Sequence, residues 1–333
     1  MAKERLIWAD SLKGILILLV VLGHAIQGVL TGNVESNRLW NVIYSFHMPA
    51  FFAISGYFVR PVGGEQKWLS KRVWQLLVPY LVWCLLKLLL IQEFNLASIA
   101  KIVTDPVSFW FLWVLFWVYL IFQLSLYFHQ KSKSRFNYIS IVFAFILIGV
   151  MAVMNTKIFG FHLIAYYFSF YALGYYMGQH KLLSIKSGWL LGGLAAVWLF
   201  LAMGWSMHAL PSWMPSVPYV PVAMVQLAYR FITASAAIMV LLNVAPLLLN
   251  ENNKVNGVVS KLGFYSLGIY VTHYLLIWWI ADLVIKNTSI GVASEIALIF
   301  VAGMIAAIIL VWLLNKNKYT ALVFLGKLVQ KGK

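Results

Sequence analysis

Asp10, Lys13 and His24 lie in a stretch, RLIWADSLKGILILLVVLGH (5 to 24), that is otherwise apolar. An ionisable group inside a bilayer helix costs at least a few kcal/mol, so its presence calls for chemistry, transport or a compensating partner. At 100° per residue, the steps from Lys13 to His24 return the two side chains to within about 20° of one face, separated by roughly 16 Å along the axis. Asp10 precedes Lys13 by three residues and shares that face. With Lys13 at the membrane edge, His24 lies near mid-bilayer, and a polar line joins the two.

Later segments add groups at comparable depth. FHMPAFFAISGYF (46 to 58) carries His47 beside Pro49, whose ring frees a backbone carbonyl one turn earlier. YSLGIYVTHYLLI (265 to 277) carries His273 about halfway along, and Arg230 lies about eight residues into another apolar run. An arginine keeps its proton and needs an anion, carbonyls or water. Histidines at mid-depth, an arginine and a basic entrance suit acyl transfer. A neutral imidazole takes a proton from a hydroxyl as that oxygen attacks a thioester, then returns it to the leaving thiolate. Arginine or backbone N–H groups stabilise the oxyanion, and basic side chains hold the phosphates of coenzyme A. A metal on His24, His47 and His273 lacks carboxylates, and no metal is expected.

The elements that position these groups follow from composition. The 333 residues are 63% apolar and 10% charged, which points to an integral membrane protein and an all-α polytopic bundle. Ten runs are long enough to cross a bilayer, at about 12–30, 40–59, 75–92, 109–128, 138–155, 161–179, 188–207, 222–245, 264–285 and 291–314. No small-residue cleavage site follows the first run, which reads as a retained span. With a cytoplasmic N-terminus, nineteen lysines and arginines fall in inside segments and four outside, so both termini are expected in the cytoplasm. The net charge of +16 thus reflects topology, and no nucleic acid is expected as a partner. The single cysteine, Cys84, excludes an intramolecular disulfide.

No separate soluble domain fits, so residues 1–333 form a single membrane-embedded domain among membrane lipids. The inside loop 60–72 is basic, and the outside loop 208–221 holds four prolines and could form a lid. FWFLWVLFWVY (109 to 119) reads as interface and packing residues, with an acceptor pocket as the alternative. No internal repeat stands out, which weighs against a transporter without chemistry, the leading alternative. The outside loops are short and poorly charged for a membrane glycan polymerase.

Together these segments resemble the integral-membrane acyltransferase-3 family, in the branch similar to sugar O-acetylases. ADSLKGILILLVVLGH (9 to 24) is similar to its first-span signature of an Asp followed by a basic residue, ten residues and a His. FHMPAFFAISGYF, KRVWQLLVPY (71 to 80), YYFSFYALGYYMG (166 to 178) and LGFYSLGIYVTHYLL (262 to 276) resemble later spans in order. The resemblance implies ten spans in a bacterial inner membrane and a cytoplasmic acyl-CoA donor, most simply acetyl-CoA. It implies a hydroxyl acceptor on a cell-envelope polysaccharide or lipid-linked saccharide. It assigns His24 as the catalytic histidine, Lys13 as the basic group that positions the donor and Asp10 as its support, and it matches His47. Lys71 and Arg72 are donor-binding candidates. Many members carry a second arginine where this chain has Gln75 and Leu76, which weakens a paired-arginine role. No esterase-like appended domain is expected.

Overall fold

The computed structural model describes residues 6–61, 67–131, 137–154, 157–180, 184–214, 218–249 and 254–328, and every regular element among them is helical. In chain order these are α1 (Ile7–Val29), α2 (Arg38–Tyr57), α3 (Lys67–Arg72), α4 (Val78–Leu90), α5 (Leu96–Thr104), α6 (Trp110–Gln130) and α7 (Tyr138–Met154). They continue with α8 (Phe161–His180), α9 (Gly188–Met203), α10 (Val222–Leu248), α11 (Lys254–Phe264), α12 (Ser266–Asn287), α13 (Val292–Asn315) and α14 (Lys318–Leu325).

Each of the ten expected spans coincides with a helix, but only six helices among the described residues are both long and apolar enough to cross a membrane. These are Ile7–Val29, Trp68–Leu90, Trp110–Gln130, Val222–Leu248, Ser266–Asn287 and Val292–Asn315. Of the others, α7 and α9 are shorter apolar helices, while α2 and α8 are long but carry more polar side chains. The third span starts earlier than expected. A π-helical stretch, Val73–Leu77, joins α3 to α4 and absorbs Pro79, which cannot donate to a carbonyl one turn back. Three short helices, α5, α11 and α14, fall where the sequence suggested connections. Several basic segments invoked for orientation, at 1–5, 132–136, 181–183 and 329–333, lie outside the described residues, as do 62–66 of the basic loop and 215–217 of the proline-rich one.

By contacts within the chain, two compact units separate: Met1–Ile54 with Tyr176–Ala307, and Ser55–Tyr175 with Ile308–Lys333. In the first unit α1 is central. Its buried residues run around much of its circumference, including Leu16, Ile17, Val21, Ala25 and Ile26, as expected of a helix enclosed by others. It packs against α10, α11 and α12. The α1–α11 crossing is so close that a Cβ at Gly263 would sit 1.7 Å from the Asp10 carbonyl oxygen, and one at Gly14 would sit 2.0 Å from that of Val259. Only glycine at both positions lets the backbones touch there. In the second unit an aromatic core joins α6 and α8, with Phe122 against Phe168, Tyr171 and Tyr175.

Candidate functional site

Along α1, Asp10 and Lys13 form an ion pair at 2.9 Å, with Asp10 largely buried and Lys13 about one-third exposed. His24 follows on the same face. Gln27, one further turn along, brings its side chain beside that of His24.

The chain reverses at Gly32, whose positive φ of 85° suits a residue without a Cβ. Asn37 Oδ1 then accepts from the Trp40 N–H at 3.0 Å and caps α2. From that start Trp40, Tyr44 and His47 recur at helical spacing on one face. Trp40 and Tyr44 stack with ring centroids 3.9 Å apart, and Tyr44 meets His47 edge-on at 4.7 Å. The helix runs through Pro49 without interruption. His47 is 3% exposed and donates through Nδ1 to the Ile43 carbonyl at 2.7 Å.

Helix α12 brings up the third histidine. His273 is fully buried, its ring centroid 5.2 Å from that of His24, and its Nδ1 donates to the Ile269 carbonyl at 2.9 Å. Tyr274, the next residue, meets His24 edge-on at 5.7 Å, and Tyr270 lies 5.9 Å from His273. Because a carbonyl can only accept, both His47 and His273 carry a proton on Nδ1 and present Nε2 as a lone pair when neutral. Two ring nitrogens in the cluster, His24 Nδ1 and His273 Nε2, are buried with no hydrogen-bond partner. Buried polar atoms are mostly partnered, and two adjacent imidazoles with a free nitrogen each leave bonding capacity that a ligand can complete. No group of three His, Cys, Asp or Glu side chains among the described residues is arranged to hold a metal ion.

The other expected site residues make contacts of their own. Arg230 donates to the Met207 carbonyl at 3.5 Å, with its guanidinium 5.6 Å from the Trp205 ring centroid. It thereby engages the α9–α10 connection. Glu35 reaches the same connection from the α1–α2 side, accepting hydrogen bonds from Ser206 and from His208 Nδ1. Partial burial pushes the Glu35 carboxyl up, but the bonds from Ser206 and His208 outweigh it and hold the group below its ordinary value. Arg38 donates to the Met203 carbonyl at 2.9 Å and Gln226 to that of Met207 at 3.0 Å.

Lys71 and Arg72 belong to the second unit. Lys71 is exposed. Arg72 lies 4.5 Å from the Tyr119 ring centroid and donates to Gln75 Oε1 at 3.1 Å. Gln75 thus serves Arg72 as an acceptor.

Sequence reasoning missed Gln27, Tyr44 and Tyr274. Tyr44 and His47 do share an i, i+3 spacing, but the partner on α1 is visible only once the helices are packed. It also missed α11, although Val255, Val259 and Leu262 recur at helical spacing and gave a signal.

Comparison with known proteins bears on this arrangement. The chain is 35% identical over 198 residues to the nodulation protein NolL of Sinorhizobium fredii, covering 54% of this chain and 50% of that protein. It is 30% identical over 190 residues to the NolL protein of Mesorhizobium japonicum, covering 51% and 47%. The chain therefore spans about half the length of the curated relatives it matches. No solved structure matches it. Residues 6–316, which include every histidine and cation described above, match the acyltransferase domain, and the chain belongs to that acyltransferase family.

Proposed function

We propose that this protein is a membrane O-acyltransferase in which His24 acts as general base. The observation that carries this reading is the pair His24 and His273, each with a buried ring nitrogen lacking a partner, in a chain of the acyltransferase family. The donor is an acyl-CoA, most simply acetyl-CoA, taken from the cytoplasm. The acceptor is a hydroxyl of a cell-envelope polysaccharide or lipid-linked saccharide. His24 takes the hydroxyl proton as the oxygen bonds to the thioester carbonyl carbon. When the tetrahedral intermediate collapses, the C–S bond breaks and the proton passes to the departing sulfur. Arg230, with five N–H donors, stabilises the oxyanion while it engages the α9–α10 connection. His47 and His273 line the site as neutral acceptors. Lys13, held by Asp10, and the cations Lys71 and Arg72 bind the phosphates of the donor.

The chain works as one domain over residues 1–333, which a family match extending across both units supports. Ten spans, both termini in the cytoplasm and a bacterial inner membrane complete the reading. The ten helices coincident with apolar runs and the bias of basic residues support it.

The test is transfer of label from radiolabelled acetyl-CoA by the purified full chain in lipid nanodiscs, with and without crude envelope saccharide. Saccharide-dependent label transfer is expected. A folded protein that neither binds nor consumes any acyl-CoA would leave the polar line on α1 as a conduit and replace this reading with transport.

A further inference from the structure

Gln27 is polar, lies inside the first apolar helix and has no role in the chemistry above. Its surroundings are specific. The Tyr44 hydroxyl donates to Gln27 Oε1 at 2.9 Å. Tyr44 itself is fixed on three sides, stacked on Trp40, edge-on to His47, and fitted into the space left by Gly23. A Cβ at Gly23 would sit 2.7 Å from Tyr44 Cε2. The residue before His24 is therefore small where the ring must pass, and three aromatic or imidazole rings aim one hydroxyl at one amide.

We propose that Gln27 is a positioning residue for His24, anchored by Tyr44, and that it selects Nδ1 of His24 as the nitrogen that takes the proton. The inference rests on His24 being the base. An amide oxygen has two lone pairs. The Tyr44 hydroxyl occupies one on Gln27 Oε1, which leaves the other to accept from His24 Nε2–H during the reaction. The ring proton is then on Nε2, and the lone pair is on Nδ1, the nitrogen that is buried with no protein partner. When the acceptor hydroxyl loses its proton, an Nδ1–H bond forms and the imidazolium keeps its Nε2–H on the Gln27 oxygen. That proton leaves Nδ1 for the departing sulfur, and the original tautomer returns. The part played by a carboxylate in a serine-hydrolase triad is here given to an amide braced by a phenol.

The experiment compares the full-length protein with Gln27→Leu, Gln27→Glu, Tyr44→Phe, the Gln27→Leu/Tyr44→Phe double variant and His24→Ala, all in nanodiscs with labelled acetyl-CoA and envelope saccharide. Gln27→Leu should lower kcat by roughly tenfold to a hundredfold, a fraction of a general base's contribution, with KM for acetyl-CoA within about twofold. Gln27→Glu keeps an oxygen acceptor and should hold kcat within a few-fold of wild type. Tyr44→Phe should fall between, and the double variant should be no worse than Gln27→Leu, because the two act as one chain. Ring ¹⁵N NMR, with His24→Ala identifying the signal, should find the His24 proton on Nε2 and lose that preference in Gln27→Leu. This readout does not require turnover. A Gln27→Leu variant with wild-type kcat beside an inactive His24→Ala overturns the positioning role alone, whereas an active His24→Ala overturns the base assignment and this inference with it. If Gln27→Leu does not fold, Tyr44→Phe at wild-type kcat is the overturning result.

Discussion

Two polar clusters lie in the first unit, and they differ in what their imidazoles meet. At the α9–α10 connection, Glu35 accepts from Ser206 and His208, Arg38 from the same α1–α2 side holds the Met203 carbonyl, and Gln226 and Arg230 hold that of Met207. The bonds of Glu35 and Arg38 cross more than 160 residues of chain, and the imidazole there, His208, is bonded through Nδ1, although the atoms Arg230 Nε and Trp205 Nε1 are buried without a hydrogen-bond partner. Around His24 the balance is broken, since His24 Nδ1 and His273 Nε2 are buried with nothing to bond. A satisfied network ties segments together and stabilises them. An unsatisfied one costs about 1–3 kcal/mol per group, and a fold bears that cost where a ligand completes the bonding. Histidine content alone would not separate the two clusters, because each contains imidazole. The difference lies in what each ring nitrogen faces.

Substitutions that split stability from activity sharpen the contrast. Among these the largest effect is expected from His273→Phe, which removes an orphaned nitrogen from a fully buried site. Label transfer should fall by on the order of a hundredfold, while the thermal midpoint in nanodiscs should hold or rise by about 2–4 °C. A fall in midpoint with activity kept would make His273 a structural residue and erase the distinction. Next comes Lys13→Ala. The Asp10–Lys13 pair lies at the far end of α1 from His24, so KM for acetyl-CoA should rise about tenfold, equivalent to about 1.4 kcal/mol of donor binding, with kcat changed far less. An equal fall in kcat would place Lys13 in the chemical step.

The smallest effect belongs to the cluster at the α9–α10 connection. Glu35→Gln should leave label transfer within about twofold and lower the midpoint at pH 7 by about 2–4 °C. Because Ser206 and His208 hold the folded-state carboxyl of Glu35 below its ordinary value, its contribution is present above the unfolded carboxylate value. It is lost as pH falls through the lower folded one. Wild type and Glu35→Gln should therefore converge in midpoint on acidification and separate again toward neutrality. A gap that widens in acid would reverse the sign and refute the ion-paired reading of the cluster.

Much of the histidine site was legible because helical periodicity is a local property. The spacing of Asp10, Lys13 and His24 on one face needs only the α1 sequence, and His47 and His273 could be placed at depth by counting along their runs. What could not be read depends on how helices meet. Gln27 in a run of Leu, Val and Ile signals nothing until the α2 face bearing Trp40, Tyr44 and His47 lies against it. Gly14 and Gly263 are far apart in sequence, and their role as a backbone crossing arises only when α11 packs on α1. Glu35 and His208 are separated by 173 residues, and each alone resembles an ordinary loop residue. The third span was misjudged at its start because apolarity marks where lipid begins, whereas the helix continues beyond it through the π-helical turn at Val73–Leu77.

The most direct measurement is single-turnover transfer from pre-bound, labelled acetyl-CoA to envelope saccharide, comparing wild type with His24→Ala in nanodiscs. With His24 as the base, the variant should retain the donor with an affinity within about twofold of wild type, yet transfer label slower by on the order of a thousandfold, within the range of a general base. Transfer at the wild-type rate by a folded His24→Ala protein would contradict the assignment and leave the orphaned nitrogen of His24 without a catalytic purpose.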